Sequence, residues 1–546
     1  MQIVRIGATT TEQPTAEAVG AKAANLARMA RLGLPVPPAF VLPVELCAAI
    51  VAGDEGARGR LADGLTEGVE FLETATGKEF GGHRRPLLVA VRSGAARSMP
   101  GMLDTVLDVG CTPAAVYGLI RMTGSPRFAF DCRCRFLESY GSVVLGLHPA
   151  VFKAAREALT AAEAAAGARQ LDAEALERLA ARYRQTIEDQ NAALPETAME
   201  QLQAAAEAVY RSWLSERAVT YRRLERLEHL PGTAVTVQAM VYGNSGMSSG
   251  AGVAFSRDPS TGAATPVVDI MFGSQGEDVV SGKHTPESEE AIVHALPAAA
   301  AQLRQALQRL EGEFGDVQDV EFTIEDGKLW ILQTRAAKRS PRAAVRFAID
   351  FVKAGRIAPA EGLRRLAGVN LEGLVSRRLI DFERPVGRGI GASAGIAVGR
   401  AAFDSAGAAR LAEAGAPIIL VRPDISTADV AGFALSSGIV TAVGGRTAHA
   451  ALVARQMDKP CIVGCADLAV DVEGRAARLP GTVLNEGDWL SIDGGAGTIY
   501  RGRGKVVADR PEADLAEIAR WRSDDDSAHA ARAPDALVVD GKMPVA

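Results

Sequence analysis

Asp319-Val-Glu-Phe-Thr-Ile-Glu-Asp-Gly-Lys-Leu-Trp-Ile-Leu-Gln-Thr-Arg335 reads as two strands joined by a tight turn. β-Branched and aromatic residues flank Glu325-Asp-Gly-Lys, the pattern of an antiparallel hairpin. Two further runs, Thr233-Ala-Val-Thr-Val-Gln-Ala-Met-Val-Tyr and Gly250-Ala-Gly-Val-Ala-Phe, have the same strand character. Together they predict an α+β domain that ends near Arg339.

Upstream, Gly20-Ala-Lys-Ala-Ala-Asn-Leu-Ala-Arg-Met-Ala-Arg-Leu has helical spacing and stops at Gly33, which puts Lys22 in a first turn. Leu87-Leu-Val-Ala-Val-Arg-Ser-Gly is an apolar strand whose Arg92 stands where strand meets loop. An Ala-, Glu- and Arg-rich stretch predicts a helical insertion over about 112–230. Downstream, about 341–386 reads as a helical linker, and Gly387-Arg-Gly-Ile-Gly-Ala-Ser-Ala-Gly marks a boundary. A smaller α/β domain is expected over 387–505. In 506–546 one amphipathic helix, about Glu512 to Arg522, is followed by a polar stretch expected to fray.

Composition bounds the function. The 546 residues are 48% hydrophobic and 23% charged, ordinary for two or three globular domains. With 60 Lys and Arg against 66 Asp and Glu, the net charge of -6 gives no footprint for nucleic acid or an anionic membrane. No apolar run is long enough to span a bilayer and no secretory signal opens the chain, so a cytoplasmic location is expected. The six cysteines lack zinc spacing and read as reduced thiols.

Two glycine motifs mislead. Gly389-Ile-Gly-Ala-Ser-Ala has the loose dinucleotide pattern without the strand that should precede it, and Gly276-Glu-Asp-Val-Val-Ser-Gly-Lys-His has wrong spacing for a P-loop. His449 stands apart from the other histidines. It follows Gly444-Gly-Arg-Thr-Ala and opens Ala450-Ala-Leu-Val-Ala-Arg, so an imidazole is set at a helix N-terminus, where backbone N–H groups and the helix dipole favour phosphate. Arg446 and Arg455 are candidates for added positive charge there. In the first domain Lys22, Arg92 and Arg335 are cations at element ends, while Glu321 and Gln333 flank the hairpin turn, where spacing alone favours an ordinary cross-strand polar pair and the alternative is that both face one Mg²⁺. Phosphoryl transfer needs this combination of charge neutralisation and a hard-oxygen metal site. Gly243-Asn-Ser-Gly-Met-Ser-Ser-Gly-Ala-Gly can lie over phosphates through its backbone N–H groups.

These segments, in this order, resemble the pyruvate phosphate dikinase family from about residue 18 to about residue 505. The resemblance is carried by Val91-Arg-Ser-Gly-Ala-Ala-Arg-Ser-Met-Pro-Gly-Met-Leu-Asp-Thr, Ser249-Gly-Ala-Gly-Val-Ala-Phe-Ser-Arg-Asp-Pro-Ser-Thr-Gly, Gln275-Gly-Glu-Asp-Val-Val, the 319–324 strand and Gly444-Gly-Arg-Thr-Ala-His. It implies an ATP-grasp domain over 1–340 and a swivelling phosphohistidine domain behind it, an α+β and α/β multidomain chain. Lys22, Arg92 and Arg335 fall on the family's phosphate-binding positions, and Glu321 and Gln333 on its metal positions. Glu277 and Asp319 match residues near the nucleotide, the segment from Gln238 through Met240 to Val241 matches the adenine-holding stretch, and His449 falls on the phosphoryl acceptor.

The implied activity is the half-reaction in which Mg²⁺-ATP and inorganic phosphate give AMP, pyrophosphate and phosphohistidine. Family members continue into a TIM barrel of about 250 residues that binds pyruvate or phosphoenolpyruvate. About forty residues follow the histidine domain, so the acceptor is expected on a separate barrel chain. The chain also departs from the family at Ala448, where a Ser is usual, and at His284, where an Arg is expected before Thr-Pro. Thr447 matches a position of regulatory phosphorylation. Alternatives are a phosphoenolpyruvate synthase-like use of water, an antibiotic phosphotransferase, and a non-catalytic ATP-sensing or phosphocarrier module. Homo-oligomerisation is compatible with all of them.

Overall fold

Gln318–Glu325 and Lys328–Ala336 form the expected hairpin, pairing Glu321 with Gln333 and Asp319 with Arg335. Its turn carries Asp326 at φ 48° and Gly327 at φ 77°, the left-handed pair an Asp-Gly turn supplies. The computed structural model describes residues 2–532 except 98, 100, 101, 166, 281–283, 372, 381–383, 425–428, 447 and 448.

Two five-stranded antiparallel sheets build the first domain. One runs Val4–Ile6, Ala39–Leu42, Ala234–Ala239, Val89–Gly94, Thr105–Val109. The other runs Glu287–Ser288, Val267–Phe272, Gly250–Phe255 and then the hairpin. The first shares a core with the helical insertion, from Pro113–Thr123 to Glu216–Leu224, through Phe40, Val91, Phe128 and Tyr140. The second packs on the helices Ala16–Arg31 and Pro297–Phe314 through Leu26, Leu303, Phe322 and Ile331. Burying each such side chain stabilises by about 1.5–3 kcal/mol, and the second core also takes in Ile6, Ala39, Val41 and Ala234 of the first sheet, so the helix carrying Lys22 is packed against both sheets.

That helix starts earlier than its sequence suggests. Thr15 caps it, and Gly20 breaks it with φ 79° and ψ 153°. A Cβ at Gly20 would lie 2.0 Å from the Gly94 carbonyl oxygen, so only glycine lets the helix approach the strand that carries Arg92.

The linker is helical only in part. Pro341–Lys353 and Pro359–Arg365 are helices, but Ser376–Ile380 is a strand paired with Lys505–Asp509. The chain thus enters and leaves the second domain through one antiparallel ribbon. Arg257 bonds Glu311 at 2.9 Å and Asp350 at 3.2 Å, and Arg356 bonds Glu311 at 2.7 Å, which ties the first linker helix to the first domain.

The second domain is an eight-stranded mixed sheet whose centre, Ile396–Ala402, Ile418–Arg422, Gly438–Thr441 and Cys461–Val463, is parallel and apolar, as a sheet covered on both faces requires. Ile390–Ser393 is an edge strand of this sheet, which disposes of the dinucleotide-loop pattern. The last helix extends over Glu512–Arg532 rather than ending at Arg522. Ile518 and Trp521 bury it against Val345, Ile349 and Leu366 of the linker region. All six cysteines are buried free thiols. Among the described residues no helix is long and apolar enough to cross a membrane.

Candidate functional site

A cleft of about 490 Å³ opens between the two sheets, a size suited to a nucleotide. Lys22, Arg92, Gln238, Met240, Val241, Glu277, Glu321, Gln333 and Arg335 all line it, although they come from six separate stretches of chain. Apolar walls are given by Met99, Leu103, Leu107, Val253 and Leu332, a slot in which a flat base can sit.

Antiparallel register sets the polar face. Residues paired directly across a sheet point the same way, as do residues two apart on one strand. Asp319, Glu321, Gln333 and Arg335 therefore share a face. Arg335 Nε donates to Asp319 Oδ2 at 2.8 Å and its Nη1 lies 3.6 Å from Glu321 Oε1. Asp319 does not itself line the cleft. It is buried behind it with its Oδ1 unpartnered, and burial raises its pKa against the pull of Arg335. Gln333 Nε2 donates to Glu321 Oε1 at 3.5 Å, a long bond that a cation can replace once the amide turns its oxygen inward. Two oxygen donors facing a phosphate-sized space suit Mg²⁺, which keeps waters and substrate oxygens as its other ligands. Among the described residues no group of three or more His, Cys, Asp or Glu is arranged to hold a metal unaided.

Lys22 has its pKa lowered to about 8, first by enclosure in the cleft and then by Arg92, while Glu321 pulls the other way. Burial likewise lowers the pKa of Arg92. Burial leads both shifts, so the cleft holds positive charge away from water, which favours a polyanionic ligand.

The same sheet face continues to the second domain. Glu321 pairs with Val253 and Val253 with Asp269, so Asp269 stands two strands, about 10 Å, from Glu321 on the same side. Asp269 Oδ2 accepts the backbone N–H of Arg446 at 2.7 Å, and Arg446 Nη1 lies 3.5 Å from Oδ1. Ser260 Oγ donates to the Ala392 carbonyl at 3.1 Å, and the Arg455 guanidinium lies 5.6 Å from the centre of the Phe255 ring. The helix His449–Gln456 begins three residues after Arg446. The His449 side chain, with Thr447 and Ala448, lies outside the described residues.

Three sequence expectations change here. Arg455 is not spare charge for a phosphohistidine, because its guanidinium donates to the Ala392 and Arg446 carbonyls at 2.7 and 2.6 Å. Arg446 is bound by Asp269. From the glycine loop at 243–252 only Gly252 reaches the cleft, since Asn244 is tied to Asp131 at 2.7 Å and the Ser249 hydroxyl accepts the Asp326 backbone N–H at 2.9 Å. Asn25, Arg97 and Gln275 also line the cleft without being expected there, although Arg97 and Gln275 both stand in stretches that carry the family resemblance.

Known families and proteins match the chain along most of its length. The family described as pyruvate phosphate dikinase, AMP/ATP-binding domain, matches residues 57–296 and 287–354. The family described as PEP-utilising enzyme, mobile domain, matches residues 415–497. The chain is 37% identical over 521 residues to a pyruvate, phosphate dikinase of Rhizobium meliloti, covering 92% of this chain and 58% of that protein. It is 38% identical over 490 residues to that of Clostridium symbiosum, covering 89% and 56%, and 38% over 509 residues to a chloroplastic one of Arabidopsis thaliana, covering 92% and 53%. The chain therefore spans a little over half the length of these relatives. With the AMP/ATP-binding domain in its first part and the mobile domain in its second, the chain belongs to the pyruvate phosphate dikinase family of phosphotransferases.

Proposed function

We propose that this chain performs the nucleotide half-reaction of a dikinase, with ATP held between the two sheets of an ATP-grasp fold over residues 1–340. The observation that carries this reading is the single sheet face shared by Glu321, Gln333, Arg335 and Asp269, which joins the cleft to the contact with the mobile domain. Lys22, Arg92 and Arg335 neutralise the phosphates, Glu277 and the Gln238–Val241 segment place the nucleoside, and Asp319 holds Arg335 in position.

Glu321 and Gln333 would hold Mg²⁺, which would draw charge from the phosphate oxygens when bound. A ring nitrogen of His449 attacks the β-phosphorus, and the bond from that phosphorus to the oxygen bridging the α-phosphorus breaks, leaving AMP. Inorganic phosphate then attacks the terminal phosphorus of pyrophosphorylated His449, so pyrophosphate leaves and the histidine keeps one phosphoryl group. The mobile domain, 387–505, carries that group away on the ribbon formed by Ser376–Ile380 and Lys505–Asp509. Transfer to pyruvate belongs to the part of the relatives that these residues do not span.

The test is the nucleotide product. Purified protein with Mg²⁺-ATP and phosphate is expected to release AMP and pyrophosphate, whereas release of ADP and phosphate would overturn the reading.

A further inference from the structure

We infer that Arg97 is the residue that binds inorganic phosphate for the second step, an assignment that rests on the dikinase reading above. Four cations line the cleft: Lys22, Arg92, Arg97 and Arg335. Three of them, Lys22, Arg92 and Arg335, are taken by the phosphates of ATP in that reading, and Arg335 is held in place by Asp319 and Glu321. Arg97 is exposed and has no carboxylate partner among the described residues, so its charge is the one left for a ligand that comes and goes.

Its place is fixed by the same junction that sets the other two. Ala21 N–H donates to the Ala95 carbonyl at 2.9 Å, and Gly20 packs directly on Gly94, so the loop leaving the Arg92 strand is pinned to the start of the Lys22 helix. Arg97 follows two residues after that bond and lines the cleft from an exposed position, while Arg92 and Lys22 stand deeper. An anion entering after AMP formation meets Arg97 first. A guanidinium also offers two parallel N–H donors to a phosphate, which holds one of its oxygens free to attack. In the step it serves, that oxygen bonds to the terminal phosphorus as the bridging P–O bond breaks, and the electron pair of the broken bond stays on the oxygen retained by phosphohistidine.

The experiment compares wild type, Arg97→Gln and Arg97→Lys in the single-turnover release of AMP and pyrophosphate, with phosphate and ATP varied separately and the half-saturating concentration of each read as its KM. Arg97→Gln is expected to raise the KM for phosphate at least tenfold while the KM for ATP moves less than threefold, with partial recovery in Arg97→Lys. A phosphate KM unchanged in Arg97→Gln, or an ATP KM that rises in step with it, would overturn the assignment alone. Wild-type turnover indifferent to phosphate would overturn the dikinase reading and the assignment with it.

Discussion

Asp269 of the first domain grips Arg446 of the second through both main chain and side chain, with Oδ2 2.7 Å from the Arg446 nitrogen and Oδ1 3.5 Å from Nη1. Gly445 makes the grip close: a Cβ there would lie 2.4 Å from Pro286 Cγ and 2.9 Å from Asp269 Oδ2. The carboxylate is 2% exposed, and losing one partner of a buried hydrogen-bonded charge pair costs more than the pair contributes. Asp269→Ala should therefore undock the mobile domain rather than damage the cleft. Phosphorylation of the protein by ATP is expected to slow at least tenfold while the Kd for ATP, measured by calorimetry, stays within about twofold. An equal loss in both would show that Asp269 acts on the nucleotide.

Lys22 makes ATP binding depend on pH. Its pKa of about 8 in the empty cleft means that the ammonium is lost as pH rises through 8, and bound phosphates hold the proton on. ATP affinity should be flat below about pH 7.5 and fall above 8 by up to about tenfold per unit. In Lys22→Met this fall should vanish.

The same lysine burdens the empty protein. A cation whose pKa falls from 10.5 unfolded to about 8 folded costs stability below pH 8, and stability is regained as pH rises from 8 to 10.5, because the unfolded chain then holds more protons. Ligand-free Lys22→Met should be about 1 kcal/mol more stable than wild type at pH 7, a gain typical of relieving a functional site, and the difference should shrink above pH 8. Thermal melts across that range decide it.

Gly20→Ala tests whether the helix and strand must touch. The added Cβ clashes with the Gly94 backbone and its φ of 79° is strained for alanine, so the helix should move and take Lys22 with it. ATP binding is expected to weaken at least tenfold, together with a loss of about 2 kcal/mol in stability. Unchanged ATP affinity would mean that Lys22 reaches phosphate without this contact.

Trp521 is 3% exposed and sits on Gly362, where a Cβ would be 2.9 Å from its ring. Trp521→Ala should release the last helix from the linker, at about 3 kcal/mol locally. Hydrogen exchange should rise in 512–524 and in Pro341–Lys353 with no change in ATP affinity.

Much of the cleft was legible because its chemistry sits at element ends. Lys22, Arg92, Glu321, Gln333 and Arg335 stand in motifs whose strand or helix character local pattern reveals, and the hairpin supplied its own register. What was hidden depends on contacts between distant segments. No local signal shows that Gly20 meets Gly94, that Arg455 turns its guanidinium to the Ala392 carbonyl, or that Asp269 lies in line with Glu321 across two strands. The last helix was cut short because its continuation past Arg522 is polar, while the face that docks it, with Leu515, Ile518 and Trp521, lies wholly before that point. Arg97 was passed over since an arginine in a polar turn looks like any solvated charge until the cleft is seen around it.

In the proposed half-reaction His449 takes a phosphoryl group from ATP. Wild type and His449→Ala, each given Mg²⁺ and ATP labelled at the β-phosphate, would be assayed for acid-labile label on the protein. Label is expected on wild type alone, retained after phosphate is added, with AMP released in equal amount. Label on neither protein, or equal label on both, would contradict that half-reaction.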